Sequence, residues 1–330
     1  MRPLVSVMMI TYNHAPYIAR GIESVLAQKT DFPFELVIGE DCSTDDTRDI
    51  VFDYQRRFPD KVRVITSERN VGATQNSVRT HAALRGTYMA WCEGDDYWHR
   101  DDKLQLQAQY LEDHEDCVLV CSDYDRLYVE TDERVTNYFG TRPKPPVSNP
   151  RIEDLLHGHG GILTCTAMSR LDLVRSITEA DPFLHKSGHF KMGDTQLWAE
   201  LLLHGRAHRF EESFATRGML PESATRSRDP EKEMRFWLSN SELCVYLCRK
   251  HNLGEELVAK FERAMRRRIL RLALLRRDNE MGESFARAYK PLGHSEKLWL
   301  AAIRYPAFGA VFSLARRLKQ LGKAGLEFQR

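Results

Sequence analysis

Three carboxylates, Glu93, Asp95 and Asp96, occur within four residues, directly after an apolar run that ends at Cys92. Carboxylates this close together repel one another unless a cation compensates their charge. Mg²⁺ and Mn²⁺ prefer oxygen ligands and leave coordination positions open for phosphate oxygens. The motif therefore predicts a divalent metal, Mn²⁺ or Mg²⁺, held by Asp95 with Glu93 and Asp96. An acidic surface loop is the alternative.

A second acidic segment, EDCSTDDT, runs from Glu40 to Thr47. A carboxylate here can accept hydrogen bonds from a ribose or a base imide, and the N-terminus of a following helix favours anions. The alternative is a capping loop in which Ser43 and Thr44 satisfy the helix without a ligand. Further along the chain, Asn70-Val71-Gly72 offers a glycine at which the backbone can turn sharply or approach a ligand.

Aromatic and cationic residues accompany these motifs. Trp98 and Trp198, with Tyr97, can form an apolar platform for an acceptor sugar, and core packing is the more common use of such residues. Three arginines stand where a loop can fold over a diphosphate, and solvated charge is the more common reading of them. They are Arg217, Arg226 and Arg228.

The elements that must position these residues alternate between strand and helix. Apolar runs predict strands at Leu4–Ile10, Phe34–Gly39, Val62–Thr66, Tyr88–Cys92, Cys117–Cys121 and Ile162–Met168. Helical spacing predicts helices at Tyr17–Gln28, Asp45–Phe58, Thr74–Leu84, Lys103–His114 and Asp194–His204. This order predicts an α/β fold, a Rossmann-type and mostly parallel sheet flanked by helices. Ligands bind outside the carboxyl ends of such strands, where the polar and acidic segments collect.

Charge divides the chain unevenly. Residues 231–330 contain 21 Lys and Arg against 11 Asp and Glu, a net charge of +10, whereas the whole chain carries +1. From Pro230 onward the pattern is helical, so we expect a basic helical region over residues 230–330. Its basic amphipathic helices can lie on an anionic membrane surface or pack on the catalytic domain. No nucleic-acid-binding motif accompanies the charge.

Four segments, in order along the chain, resemble family 2 glycosyltransferases of the GT-A fold. They are ITYNHAPYIARGIESVLAQ, ELVIGEDCSTDDT, ERNVGATQN and GTYMAWCEGDDYW. The resemblance is close from Val5 to Asp125 and looser to about Ser227. It implies a catalytic domain over residues 1–229, with a nucleotide-sugar half at 1–125 and an acceptor half at 126–229.

The resemblance also implies roles for individual residues. It implies that Asp41 contacts the uracil or ribose, and that Asp95, in the place of the family's Asp-x-Asp motif, binds metal and diphosphate. Asp194 matches the general base on the acceptor side. The expected nucleotide-sugar contacts are Thr11, Tyr12, Asn13, Glu40, Asp41, Asn70, Gly72, Asn76, Glu93, Gly94 and Asp95.

These residues predict an inverting enzyme that moves a sugar from a nucleoside diphosphate, UDP by resemblance, to a hydroxyl acceptor. We expect a glycan or lipid-linked acceptor in bacterial surface polysaccharide synthesis. A cytoplasmic location, with peripheral contact to the inner face of the membrane, would suit that role. The alternatives are a nucleotidyltransferase of α/β fold, or a catalytically silent scaffold that binds nucleotide sugars. A nucleotidyltransferase usually has a Gly-rich basic loop where this chain has TYNHAPY.

Overall fold

The computed structural model describes residues 2–221 and 229–314. The chain divides into two compact units, Met1–Pro221 and Glu222–Arg330. The predicted domain boundary between residues 229 and 230 lies close to this division. Every described strand belongs to the N-terminal unit, and the described part of the C-terminal unit is helical.

One sheet forms the centre of the N-terminal unit. Its strands are β1 (Val5–Thr11), β2 (Phe34–Glu40), β3 (Val62–Ile65), β4 (Tyr88–Trp91), β5 (Tyr97–Trp98), β6 (Cys117–Tyr128), β7 (Glu133–Val135), β8 (Met168–Arg170) and β9 (Arg206–Met219). They lie in the order β3-β2-β1-β4-β8-β6-β9-β5, and β7 pairs with β6. The pairs among β1 to β4 are parallel, as is β6 with β9, whereas β5, β7 and β8 pair antiparallel.

Helices cover both faces of this sheet. They are α1 (Ile18–Leu26), α2 (Thr47–Arg57), α3 (Ala73–Ala82), α4 (Lys103–Asp113), α5 (Ile152–Leu156), α6 (Leu171–Ala180), α7 (Pro182–Lys186) and α8 (Thr195–His204). In β1, Val7 and Met9 pack on one face with α1, α2 and α4, and Met8 packs on the other face with α6 and α8. Because both faces are buried, the strand is a continuous apolar run. The predicted α/β class is confirmed.

One predicted strand is corrected, and one long strand was missed. Ile162–Met168 is not a strand, because Thr164–Thr166 forms a 3₁₀ turn and the strand begins only at Met168. β9 was not predicted, since charged residues such as Glu211 and Glu212 interrupt any apolar pattern. The long register with β6, which has two irregularities between Ser122 and Tyr124, holds β9 in the sheet.

The position of β1 determines where a ligand can bind. β2 and β3, which follow β1 in the chain, lie on one side of it in the sheet, and β4 lies on its other side. At such a reversal the loops after the two central strands diverge and leave a crevice at the carboxyl ends. Here those loops carry Thr11 and the acidic segment that begins at Glu93.

The C-terminal unit contains α9 (Pro230–Lys250), α10 (Glu255–Arg276), α11 (Asn279–Ala288) and α12 (His294–Arg304), followed by a helical segment over residues 306–314. Its core includes Leu270, Phe285 and Trp299. The expected helical C-terminal region is thus present. Among the described residues, no helix combines the length and the hydropathy needed to span a bilayer.

Candidate active site

The acidic loop after β4 lies against the loop after β1. A Cβ atom placed on Gly94 would lie 2.7 Å from Thr11 Oγ1 and 2.8 Å from His14 Nδ1. Thr11 Oγ1, His14 Nδ1 and Glu93 Oε2 are buried without a hydrogen-bond partner in the described part of the chain. Buried polar atoms of this kind cost free energy. Three of them in two adjoining loops indicate a place for a polar ligand, and sequence reasoning did not single out His14.

Electrostatic repulsion is concentrated in the acidic loop. Burial raises the pKa of Glu93 well above its ordinary value, and the charges of Asp96, Asp95 and Asp194 raise it further. Burial, with the charge of Asp95, also raises the pKa of Asp96 to about 7. The carboxylates therefore face one another closely enough that a bound cation would stabilise their ionised forms.

The predicted metal ligands differ in whether their carboxylate oxygens already accept hydrogen bonds from the protein. The Asp95 carboxylate accepts no hydrogen bond from the residues that the structure describes, and the buried Glu93 Oε2 has no partner. Within residues 2–221 and 229–314, no group of three or more His, Cys, Asp or Glu side chains is arranged to hold a metal by itself. Mg²⁺ and Mn²⁺ need only one or two carboxylates when substrate phosphates complete the coordination. Asp95 and Glu93 fit such a site.

Asp96 has a different part. Its Oδ1 accepts the backbone N–H of Gly218 at 2.9 Å, and the Cys165 thiol hydrogen-bonds the same side chain. Asp96 is buried and engaged with β9, so it positions the acidic loop, and its role as a metal ligand stays a prediction.

The contact with β9 also brings Arg217 to the carboxylates. Burial alone would lower the pKa of this guanidinium, but the charges of Asp96 and Glu93 raise it. Arg217 therefore supplies positive charge beside the acidic loop. Arg226 and Arg228 lie outside the described residues.

A hydrogen-bonded network joins the loop after β1 to the loop after β2. The backbone N–H of Asn13 donates to Ser43 Oγ at 3.1 Å, and Asn13 Oδ1 accepts the backbone N–H of Thr44 at 2.8 Å. Ser43 and Thr44 therefore hold the neighbouring loop instead of capping α2. Tyr12, between Thr11 and Asn13, is 41% exposed. Its ring is available to a ligand at this rim.

Asp41 holds the loop after β3. Its two carboxylate oxygens accept the backbone N–H groups of Val71 and Gly72, each at 2.9 Å, and the Arg79 guanidinium lies 3.5 Å away. Gly72 has φ of +85°, a conformation that favours glycine. Asn70 Oδ1 accepts the same Gly72 N–H at 3.0 Å. The predicted residues Asp41, Asn70 and Gly72 thus form one group, with Arg79 as an unpredicted member.

Two residues that were predicted to contact the nucleotide have side chains buried inside the protein. Glu40 is fully buried, and its oxygens accept the backbone N–H of Ser43 at 2.6 Å and the hydroxyl of Thr66 at 2.9 Å. Asn76 is also buried, and its amide donates to the Gly39 carbonyl at 2.7 Å. Because protein groups occupy both side chains, we correct their roles from ligand contact to positioning.

Asp194, the predicted general base, caps the N-terminus of α8. Its Oδ1 accepts the backbone N–H of Thr195 at 2.6 Å, and Thr164 Oγ1 donates to its Oδ2 across 3.3 Å. Its charge contributes to the raised pKa of Glu93. The structure therefore brings Asp194 to the same region as the acidic loop, whereas Asp41 belongs to the neighbouring group around Gly72.

The two tryptophans expected on the acceptor side are buried. Trp98 donates its indole N–H to the Cys165 carbonyl at 2.8 Å, and Trp198 packs edge-to-face on Trp91 with ring centroids 5.0 Å apart. Their exposed fractions are 3% and 1%. This burial corrects the platform prediction in favour of core packing for both residues.

Comparison with known proteins agrees with this geometry. The family model "Glycosyl transferase family 2" matches residues 6–174. An uncharacterised protein of Mycobacterium tuberculosis is 32% identical over 210 residues, which cover 62% of this chain and 58% of that protein. The chain thus matches less than two thirds of that relative's length. The Escherichia coli UDP-Glc:alpha-D-GlcNAc-diphosphoundecaprenol beta-1,3-glucosyltransferase WfaP is 32% identical over 143 residues, 43% of this chain and 53% of that enzyme.

Among solved structures, TarS of S. aureus, residues 1–349 in complex with UDP-GlcNAc, superposes with a TM-score of 0.57. The superposition covers 92% of this chain and 79% of that one, at 18% identity. At this identity the likeness shows a shared fold.

Proposed function

Because the chain belongs to glycosyl transferase family 2, we propose that it transfers a sugar from a nucleoside diphosphate to a hydroxyl acceptor with inversion. The observation that carries the proposal is that Thr164 donates to Asp194 while its neighbour Cys165 hydrogen-bonds Asp96, so that one short turn joins Asp194 to the acidic loop. A base and a diphosphate-binding loop must lie on opposite sides of one sugar in such a displacement. We place that sugar beyond the carboxyl ends of β1 and β4, where the order of the strands reverses.

In the proposed reaction, Asp194 accepts the proton of the acceptor hydroxyl while the hydroxyl oxygen forms a bond to the anomeric carbon. The bond from that carbon to the diphosphate oxygen breaks, and the nucleoside diphosphate leaves with the electron pair. Thr164 orients Asp194 through the hydroxyl contact at 3.3 Å. A positioned base of this kind typically contributes about 10²–10⁴-fold to the rate.

The leaving diphosphate needs positive charge. A divalent cation, Mn²⁺ or Mg²⁺, held by Asp95 and Glu93 would neutralise charge on the diphosphate. Arg217 adds a fixed positive charge at the same loop, and Asp96 anchors that loop to β9 through Gly218. These protein groups are in place before the substrate binds, which reduces the reorganisation needed during reaction.

The nucleoside is proposed to lie against Tyr12 and the group formed by Asp41, Asn70 and Gly72. UDP is the donor nucleotide we favour, since WfaP uses UDP-Glc by its name and the TarS structure contains UDP-GlcNAc. WfaP acts on a diphosphoundecaprenol-linked sugar by its name. We accordingly propose a glycan or lipid-linked acceptor of the cell envelope, reached from the cytoplasmic face of the membrane.

The test is a screen of UDP-, GDP- and TDP-sugars for thermal stabilisation of the full chain, with and without Mn²⁺. We expect one nucleotide class to stabilise the protein, and the stabilisation to be larger with Mn²⁺. The best donor is then assayed for release of nucleoside diphosphate. Stabilisation without any release, with or without added glycan acceptors, would favour the silent scaffold. No stabilisation by any nucleotide sugar would reject the proposal.

A further inference from the structure

A cavity of about 400 Å³ lies in the C-terminal unit, between α10, α12 and the helical segment 306–314. Its wall includes the apolar side chains of Leu274, Trp299 and Ile303. Arg271 and Arg277 line the same cavity, and both are exposed residues. A wall that combines apolar side chains with guanidinium groups suits a molecule that has an anionic group and a hydrocarbon part.

Among the residues that the structure describes, the two arginines have no partner for their charge. In the part of the chain that the structure describes, neither the Arg271 nor the Arg277 side chain forms an ion pair or a hydrogen bond. By contrast, Arg276 lies 3.8 Å from Glu231 and 4.0 Å from Asp278. Arg277 also adopts φ of +53° at the end of α10, where glycine is the usual residue. Nothing in the fold of the helix requires arginine at this position.

The helical segment beside these arginines is apolar on both sides. Residues 305–314 contain no charged side chain. Pro306 and Ala310 line the cavity, whereas Phe308, Val311 and Leu314 are 40%, 65% and 60% exposed. A surface helix of a water-soluble unit normally presents polar residues on its outer face. Exposed apolar side chains that repeat every three residues therefore call for a non-aqueous partner.

The positive charge and the apolar ridge together identify that partner. We propose that this surface of the C-terminal unit docks on an anionic phospholipid membrane. Arg271 and Arg277 bind lipid phosphates, and Phe308, Val311 and Leu314 insert among the acyl chains. Arginine pairs well with phosphate because its planar group donates two hydrogen bonds at once. The inference rests on the proposed membrane-side location, but it requires no sugar transfer.

The experiment is co-sedimentation of the full chain with vesicles of phosphatidylcholine, with or without phosphatidylglycerol. The wild-type chain should bind the phosphatidylglycerol vesicles, and added salt should weaken the binding. The double variant Arg271→Gln/Arg277→Gln should bind about tenfold to thirtyfold more weakly, since each arginine near an anionic surface contributes a several-fold gain. The matched control is Arg287→Gln on α11, whose partner Glu283 lies 4.0 Å away. It should bind like the wild type.

The apolar ridge is tested separately with Val311→Ser, which should weaken binding while the melting temperature stays unchanged, because Val311 is mostly exposed. Equal binding by the wild-type chain and the arginine double variant would overturn the proposal. So would a failure to bind vesicles accompanied by self-association that Val311→Ser abolishes, which would assign the ridge to a second copy of the chain. Release of nucleoside diphosphate is measured in parallel without vesicles, so that a failure of docking and a failure of the proposed transfer are distinguished.

Discussion

Asp96 Oδ1 accepts the backbone N–H of Gly218 at 2.9 Å, although 122 positions separate the two residues in the chain. Gly218 permits this contact because a Cβ atom there would lie 2.4 Å from the Asp95 carbonyl oxygen. The bond joins the acidic loop to β9 and brings Arg217 beside Glu93 and Asp96. Arg217 and the carboxylates of the proposed diphosphate site are thus brought together from two distant segments of the chain.

Replacing Arg217 with Met should lower turnover by about 10²-fold, the typical loss when one electrostatic contact to a developing charge is removed. Steady-state kinetics with the donor found in the screen would measure the effect. Arg217→Lys should recover part of the activity because it restores the charge. The control is Arg126→Met, since Arg126 stacks 3.3 Å over the ring of Tyr138. Wild-type turnover by Arg217→Met would place the diphosphate elsewhere.

Asp194→Asn should reduce turnover by about 10²–10⁴-fold and leave nucleotide affinity nearly unchanged, because a general base acts mainly in the transition state. Rates and calorimetric binding of UDP to the same variant would be compared. Asp172→Asn serves as the control, since Asp172 on α6 is exposed and lies 3.7 Å from Arg175. Retained turnover in Asp194→Asn would remove this residue from the role of base.

Asp95→Ala should weaken metal-dependent binding of UDP, because no described donor engages the Asp95 carboxylate and a metal ion can therefore bind it. Calorimetry with and without Mn²⁺ would show whether the metal-dependent part of the affinity is lost. Asp101→Ala is a matched control, since Asp101 is exposed and pairs with Lys29 at 2.6 Å. If Asp95→Ala binds UDP and Mn²⁺ as the wild type does, the metal is held by other residues.

Gly72→Ala should destabilise the chain by about 1–3 kcal/mol, the cost of holding a non-glycine residue in a sparsely populated backbone conformation. No atom lies within 4 Å of the added Cβ, so the backbone strain acts alone. The Asp41 contact to Gly72 should loosen, and nucleotide affinity should fall with it. Urea unfolding would measure stability. Gly193→Ala, where a Cβ also meets no atom within 4 Å, should be close to neutral.

Lys103 makes stability depend on pH. Burial lowers the pKa of this fully buried lysine from 10.5 to about 7. Between these values the unfolded chain keeps a proton that the folded chain has lost, so the lysine's contribution to stability rises with pH. This contribution is fully present above about pH 10.5, decreases as the pH falls, and is gone below about pH 7. The slope expected for one proton is about 1.4 kcal/mol per pH unit.

The measurement is urea unfolding of the wild type and of Lys103→Met from pH 7.5 to 8.5. This window stays below the range in which buried thiols such as Cys121, whose pKa burial raises to about 12, act in the opposite direction. The free energy of unfolding of the wild type, relative to that of Lys103→Met, should increase as the pH rises. A difference that is constant across this range would mean that Lys103 is charged in the folded state.

Much of the fold could be predicted from local patterns in the sequence. The runs at Val5–Thr11 and Phe34–Glu40 are apolar because both faces of these strands are buried, and such runs are legible without a structure. β9 escaped prediction because its burial comes from pairing with β6, and its own residues include exposed Glu211 and Glu212. The same holds for Trp98 and Trp198, whose burial depends on helices and turns packed from elsewhere in the chain.

The amino-acid sequence by itself determined which residues stand after each strand, and hence that carboxylates collect at one edge of the sheet. Residue type and strand period are local properties, so this much can be predicted. Only the tertiary structure decided which carboxylates remain available. Glu40 and Asp96 are engaged by Ser43, Thr66 and Gly218, whereas Asp95 is not. Gly218 lies 122 residues from Asp96, so the local pattern around that carboxylate cannot reveal its hydrogen-bond partner.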